Sequence, residues 1–448
     1  MIDRDRLASL RAAEEDRFAR LHPSSAALAE QARGPLLAGV PMPWMTRWPG
    51  RFPLFFDSAS GARLTDVDGV EYVDLCLGDT GAMTGHALPQ VTDAIAGRAS
   101  RGITTMLPSA DAVWVGEELA RRFGLPSWQL AMSATDANRF VLRFARHLTG
   151  RPRVAVMDWC YHGTVDETLA VLDGDRVVAR PGALGPQVPV AETTAVVPFN
   201  DAEALDRRLA EGDVACLLME PALTNIGIVL PEPGYLEAVR EITRRHGVLL
   251  VNDETHTLCA GPGGATAAWG LDPDLVVVGK PIGGGIPCAA YGMTAEVADR
   301  LSGPMLGHEI DVAGVGGTLT GNALALAAIR ATLSSCLRDE DFAVAVPLAE
   351  RFTAGVAGVI AEHGLDWHVQ RLGCRAEYWF CPPPRDGAAA AAAVDEDLEG
   401  FLHLWCLNRG VLLTPFHNMA LFSPHHTEAD VDRHTEVFGD AVAALTGH

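Results

Sequence analysis

The sequence predicts an α/β protein. Short apolar runs recur through the middle of the chain, at Val154–Met157, Val214–Met219, Val248–Val251 and Leu275–Val278, and each reads as a buried parallel strand. Helical segments accompany them, such as Arg139–Leu148, which precedes the first run and is closed by the stop signal Thr149-Gly150-Arg151-Pro152. Polar and small residues follow the strand ends at once, which is where an open, mostly parallel sheet carries its sites.

With 448 residues the chain is long enough for a large core and two or three domains or subdomains. Its 48% hydrophobic and 21% charged residues are those of an ordinary soluble protein. A net charge of -22 argues against nucleic acid or an anionic membrane as partner. The nine cysteines are odd in number and none has CxxC spacing, so they read as reduced, mostly buried thiols. The N-terminus is highly charged, and no run reaches transmembrane length, so a cytoplasmic location is expected. His425 and His426 lack further ligands at suitable spacing, so no metal site is predicted.

In chain order, residues 1 to about 35 read as amphipathic helix, with Leu7, Leu10 and Phe18 among charges. The Pro- and aromatic-rich stretch Gly39–Phe52 reads as an ordered surface loop, and Gly61–Leu77 as a β-meander turning at Asp68-Gly69. His86 could be called catalytic, but the structural reading is preferred. Ser133, Ala134 and Thr135 precede a helix and form either an anion site or a simple N-cap. Residues 172–198 read as strand and loop, and Asn200 or Asp201 as the next N-cap. The strand Val214–Met219 ends at Glu220-Pro221, with Asn225 just beyond; both polar residues could be satisfied turn residues.

Two strand ends carry the strongest chemistry. Val248–Val251 runs into Asn252-Asp253-Glu254, where a carboxylate can pair with a protonated ring nitrogen or cap a turn. Leu275–Val278 runs into Gly279-Lys280, with glycines at 283–285. A lysine there can form a Schiff base to an aldehyde cofactor, or sit on the surface of a turn. It is no Walker-type phosphate loop, because Lys280 precedes the glycines. Gly316–Asn322 is a further anion site or an ordinary N-cap before Ala323–Leu333. From about Ser334 the pattern changes to amphipathic helix, a strand-like run at Cys374–Phe380, an alanine-rich stretch at Gly387–Val394, a short strand at Val411–Pro415 and a last helix capped at Thr427.

Together, Asp253 and Lys280 resemble the paired strand ends of class III, fold-type I pyridoxal-phosphate aminotransferases, in the branch of glutamate-1-semialdehyde aminomutases and related transaminases. The likeness runs from about Leu64 to His434. It includes Asp66-Val67-Asp68-Gly69-Val70-Glu71-Tyr72-Val73-Asp74, Gly85-His86-Ala87-Leu88-Pro89, Ser133-Ala134-Thr135, Tyr161-His162-Gly163 and Glu220-Pro221 with Asn225. The resemblance implies a large domain with a mostly parallel, seven-stranded-type sheet flanked by helices. It also implies a small α+β domain from both chain ends. Its boundaries would be 1–90 for the N-terminal part, 91–333 for the large domain and 334–448 for the C-terminal part.

The resemblance also implies roles. Lys280 bears the Schiff base to pyridoxal 5'-phosphate and Asp253 holds the pyridine nitrogen. Ser133, Ala134 and Thr135 bind the phosphate. Tyr161, followed by His162, stacks on the ring, and Thr255 covers its other face. Asn225 lies near the phenolic oxygen and Glu220 near the substrate end. Thr318 reaches the phosphate of the neighbouring subunit, which requires a homodimer with shared sites. His256, with Leu258 and Ala260, departs from the family pattern; it either donates to the phenolic oxygen or Asp253, or packs behind them. The expected function is transfer of an amino group between an amine or amino acid and a keto or aldehyde acceptor. A 2,1-aminomutase uses the same parts in another order, and a catalytically silent binding protein is the reading from a different class. Both Lys280 and Asp253 argue against silence, and no Gly-x-Gly-x-x-Gly supports a dinucleotide binder. Arg47 and Arg51 are the candidates for a substrate carboxylate, in an aromatic loop that equally suits an apolar amine.

Overall fold

The computed structural model describes residues 2–185, 188–306 and 314–447. They form two compact units. The larger comprises Pro89–Asp339 with Pro384–Ala392, and the smaller comprises the chain up to Leu88 with Glu340–Pro383 and the segment from Ala393 onward.

The larger unit is built on a seven-stranded sheet. In chain order its strands are β1 (Ser127–Ala131), β2 (Arg153–Met157), β3 (Thr194–Val197), β4 (Val214–Met219), β5 (Leu249–Asp253), β6 (Leu275–Val278) and β7 (Ala289–Met293). Their order across the sheet is β1-β7-β6-β5-β4-β2-β3, and only β7 runs against the rest. β4 and β6 are buried along their whole length, which explains why they read as continuous apolar runs rather than as alternation.

The helix after β1, α1 (Ala134–Thr149), starts five residues before the predicted Arg139. Ser133 caps it: its Oγ accepts from Asp136 N–H at 3.2 Å and donates to the Asp136 carboxylate at 2.9 Å. The polar first turn, Thr135-Asp136-Ala137-Asn138, hides this start from a hydrophobic pattern. α1 closes at left-handed Gly150, as the stop signal predicted. Of the two candidate caps for α2 (Ala202–Leu209), Asp201 serves, accepting from Ala204 N–H at 2.8 Å. Asn200 instead ties two loops, donating to Leu230 O at 3.1 Å and Arg385 O at 2.8 Å. That bond brings in Pro384–Ala392. Gly387 passes so close to the 158–159 backbone that a Cβ there would lie 2.5 Å from Asp158 O.

The smaller unit joins both chain ends. The strands Phe56–Ser60, Arg63–Asp66 and Glu71–Asp74 form the predicted meander, and Val411–Leu412 adds in parallel to the third. A second sheet is antiparallel, from His368–Leu372, Arg375–Trp379 and Met419–Leu421. The N-terminal helix is two helices, Arg4–Leu21 and Pro23–Ala32, because Pro23 starts a new one. Buried His22 at the break contacts Tyr72 Oη at 2.7 Å, and Tyr72 donates to Asp66. Buried Glu14 accepts from Asn408 at 2.7 Å and Arg409 at 2.9 Å, fastening the first helix to the C-terminal chain. His86 contacts Asp74 at 2.7 Å, a structural pairing. Among the described residues one helix, Asp339–Glu362, is long and apolar enough to cross a membrane; it carries Pro347 and buries Phe342, Leu348, Phe352 and Val356. All nine cysteines are free, eight of them buried, and no group of His, Cys, Asp or Glu among the described residues could hold a metal ion.

Arg122 is a buried polar tie inside the larger unit. Its buried guanidinium donates to Leu333 O at 2.6 Å, Leu337 O at 2.5 Å and Pro262 O at 3.1 Å, and pairs with Glu118. Arg122→Met leaves those carbonyls without a donor and should cost about 3–5 kcal/mol, read as a lower urea midpoint at unchanged slope.

Candidate active site

β1, β2, β4, β5 and β6 all point the same way, so their C-terminal ends share one edge of the sheet. That edge collects the predicted residues: Ser133 after β1, Tyr161 and His162 after β2, Glu220 after β4, Asp253 ending β5 and Lys280 just beyond β6. The parallel register pairs Asp253 with Val277, three residues before Lys280. Twenty-seven residues of sequence thus become adjacent strand ends.

Asp253 is buried and fully engaged. Its Oδ2 accepts from Asn138 Nδ2 and lies against His162 Nδ1, each at 2.9 Å, while Oδ1 accepts from Thr255 N–H at 3.1 Å. Burial alone would raise its pKa, but His162, with Thr255 and Asn138, holds it down at about 2. Burial would likewise lower His162, yet neighbouring Cys160 and Asp253 raise it well above its ordinary value. The site therefore keeps a fixed negative charge at the end of β5. The adjacent acid, Glu254, faces away: it accepts from Thr257 Oγ1, Thr266 N–H and Ala265 N–H, and burial pushes it up.

Lys280 has φ 48°, a left-handed conformation that costs a non-glycine residue energy. Gly279 before it lies against the start of α1, where a Cβ would sit 3.0 Å from Ala134 Cβ. The lysine loop and the helix N-terminus are thus in contact. At that terminus Ala134 and Thr135 present N–H groups with no carbonyl four residues back. Thr135 Oγ1 accepts from Thr164 N–H at 3.1 Å, and Gly163 is needed there, since its φ is +78° and a Cβ would fall 2.1 Å from Thr135 Oγ1.

The Lys280 Nζ lies 2.5 Å from His256 Nε2. The other ring nitrogen, Nδ1, is 2.9 Å from Thr224 Oγ1, and Thr224 donates to Glu220 Oε2. Glu220 Oε1 accepts from Tyr161 N–H at 3.3 Å. Thr255 and His256 are buried, and Tyr161 and Asn225 are partly buried. Thr318 stands apart. It is exposed, in a segment whose described bonds are internal: Thr320 N–H to Gly317 O, and Asn322 capping Ala323–Ser335. Arg47 and Arg51 belong to the smaller unit and face acids there, Arg51 beside Asp16 and Arg47 3.8 Å from Glu396.

Sequence reasoning missed Asn138 and Thr224. Asn138 had a signal, because it is a polar residue on the apolar face of α1, beside Ala137, Phe140, Val141 and Phe144. Thr224 had none; its importance comes only from meeting His256, 32 residues on.

A ring carrying a phosphate, an aldehyde and a basic nitrogen fits this donor set. The helix N-terminus suits the phosphate, Lys280 the aldehyde and the ionised Asp253 the protonated nitrogen. Such a set on an α/β sheet edge defines a fold-type I pyridoxal-phosphate enzyme. Known proteins agree. The family model for class III aminotransferases matches residues 44–354. Glutamate-1-semialdehyde 2,1-aminomutase of Desulfitobacterium hafniense is 34% identical over 425 residues, 93% of this chain and 97% of that one. Among solved structures, a glutamate-1-semialdehyde aminomutase from Pseudomonas aeruginosa is 49% identical, with TM-score 0.97 and 99% of each chain covered; a lysine-to-alanine form of it is solved with pyridoxamine phosphate. An omega-transaminase from Sphaerobacter thermophilus is 28% identical with TM-score 0.86, covering 95% of this chain and 98% of that one. The chain belongs to the class III aminotransferase family, and its cofactor is pyridoxal 5'-phosphate.

The Asp253–His162 pair predicts a pH signature in the protein without cofactor. A depressed carboxyl contributes stability that is complete above its unfolded value of about 4 and is lost as pH falls toward 2. A raised imidazole contributes stability that is complete below about 6.5 and is lost as pH rises through its folded value. Asp253→Asn removes the first contribution and Asp253's share of the second, while the share from Cys160 stays. The melting-temperature gap between wild type and this variant should be widest between about pH 4 and 6.5 and narrow on either side. Melting curves from pH 2 to 9 measure it, and a gap constant with pH would refute the pairing.

Proposed function

We propose that this enzyme is an intramolecular aminomutase, moving an amino group between neighbouring carbons of glutamate-1-semialdehyde or a closely similar amino aldehyde. The observation that carries this reading is the 49% identity, over nearly the whole of both chains, to the Pseudomonas aeruginosa aminomutase. The full-length similarity to other proteins of that name supports it.

Bound pyridoxal phosphate supplies an electron sink for the carbon that bears the migrating nitrogen. In this reading Asp253 keeps a proton on the ring nitrogen, which its full negative charge favours over the whole neutral range. Ala134 and Thr135 N–H groups, with the Ser133 cap, would hold the phosphate. Tyr161, Thr255 and Asn225 would hold the ring and its phenolic oxygen. Lys280 Nζ takes a proton from one substrate carbon and returns it at the position the chemistry requires. Because one molecule is both donor and acceptor, the reaction needs no second substrate.

Transamination between separate donor and acceptor is the second reading. Thr255-His256-Thr257-Leu258-Cys259-Ala260 departs from the family pattern close to the site, and the structural likeness extends to an omega-transaminase. Supplying 4-amino-5-oxopentanoate as the sole substrate separates the two. An aminomutase converts it to 5-amino-4-oxopentanoate over many turnovers with no added acceptor. Turnover that starts only when a second carbonyl compound is added would overturn the aminomutase reading.

The exposed position of Thr318 supports a homodimer in which this residue serves the partner's site. Lys280→Ala and Thr318→Ala chains should each be impaired alone. Mixed and reassembled, they should regain activity in about a quarter of the sites, because each hybrid dimer contains one intact site. No recovery on mixing would place Thr318 outside the shared site.

A further inference from the structure

We infer that His256, Thr224 and Glu220 form a proton relay that takes a proton from Lys280 and delivers it to a buried carboxylate. The inference holds whichever amino-group reaction the enzyme runs, since it concerns the lysine itself.

The distances set the line, and the tautomer of His256 protonated at Nδ1 gives each contact its direction. Lys280 Nζ–H donates to His256 Nε2 at 2.5 Å, His256 Nδ1–H donates to Thr224 Oγ1 at 2.9 Å, and the Thr224 hydroxyl donates to Glu220 Oε2. With Nε2 accepting, His256 is the neutral tautomer protonated at Nδ1. In this tautomer each middle group can receive from one neighbour on the line and give to the next, which is the arrangement needed to pass a proton. A single concerted shift balances. The Lys280 ammonium loses a proton to His256 Nε2, the Nδ1 proton moves to Thr224 Oγ1, and the threonine's own proton moves to Glu220 Oε2. The products are a neutral Lys280 amine and a protonated Glu220, with His256 and Thr224 unchanged in charge.

The terminus suits the task. Glu220 is only 2% exposed and His256 6%, so water is a poor competitor along the line. Burial pushes the Glu220 carboxyl up, although His162 and Thr224 pull it down, so it accepts a proton more readily than a surface carboxylate. Asp253, held low by His162, cannot take that part. The site thus contains two buried carboxylates set for opposite purposes: Asp253 stays charged, and Glu220 receives. Only an unprotonated lysine amine can attack an aldehyde, so the relay governs how fast Lys280 becomes a nucleophile. His256, which touches the reacting nitrogen, is a catalytic residue; Thr224 and Glu220 act through it.

The test reads cofactor loading rather than turnover. Pyridoxal phosphate is added to the cofactor-free protein, and growth of the visible band of the lysine-bound form is followed by stopped flow. His256→Ala should slow loading by about tenfold or more, and added imidazole should restore the rate, because the diffusible base occupies the vacated space. Thr224→Val keeps the shape but interrupts the line; its loading should be slow and insensitive to imidazole. His256→Gln, which can accept from Lys280 but cannot pass a proton on, should be as slow as His256→Ala and guards against a folding defect in the smaller variant. Loading of His256→Gln at the wild-type rate, or no rescue of His256→Ala by imidazole, overturns the relay.

Discussion

A negative charge buried at the end of one strand is the constraint around which the larger unit is arranged. Asp253 is 3% exposed, and a carboxylate taken out of water must be compensated closely. The structure does so with three donors from three places: Asn138 on α1, His162 after β2, and the Thr255 backbone in the next turn. Each compensating group fixes a neighbour in turn. Asn138 also donates to His162 O at 3.1 Å, so the loop after β2 is held against the helix that begins after β1. The parallel register then sets Lys280 beside this charge without further adjustment.

Charge separation between two buried acids gives the site its chemical range. Asp253 and Glu220 end neighbouring parallel strands in equally dry surroundings, yet their environments push them in opposite directions. The difference comes from partners, not depth: Asp253 faces an imidazole that is raised in return, whereas Glu220 faces a hydroxyl, a backbone N–H and a more distant imidazole, His256 Nδ1, at 3.9 Å. Two carboxyl groups set for different protonation states can serve one reaction in two capacities.

The sheet and the two chemical anchors were legible because they are local. Val248–Val251 and Leu275–Val278 are apolar without alternation, since both faces of the sheet are covered, and the residues that follow are few and polar. The start of α1 was not legible, because a polar first turn looks like loop until the Ser133–Asp136 cap is seen. The His256 line was hidden for a different reason. Thr224 and His256 are ordinary residues in their own segments, and only the pairing of β4 with β5 brings the loops after them together. Pro384–Ala392 was equally opaque, since an alanine-rich run carries no pattern that names its neighbours.

That segment bears on how the chain matures. The larger unit is not complete when residue 339 has been made; it waits for Arg385 to bond Asn200 and Glu232 and for Gly387 to settle against Asp158. The first 88 residues wait as well, since Glu14 finds Asn408 and Arg409 only after nearly the whole chain exists. At ~5–20 residues per second of synthesis, Glu14 of the first helix remains without Asn408 and Arg409 for on the order of tens of seconds. The larger unit thus closes only after Ala392 has been made, and the smaller later still, in the presence of a largely finished polypeptide.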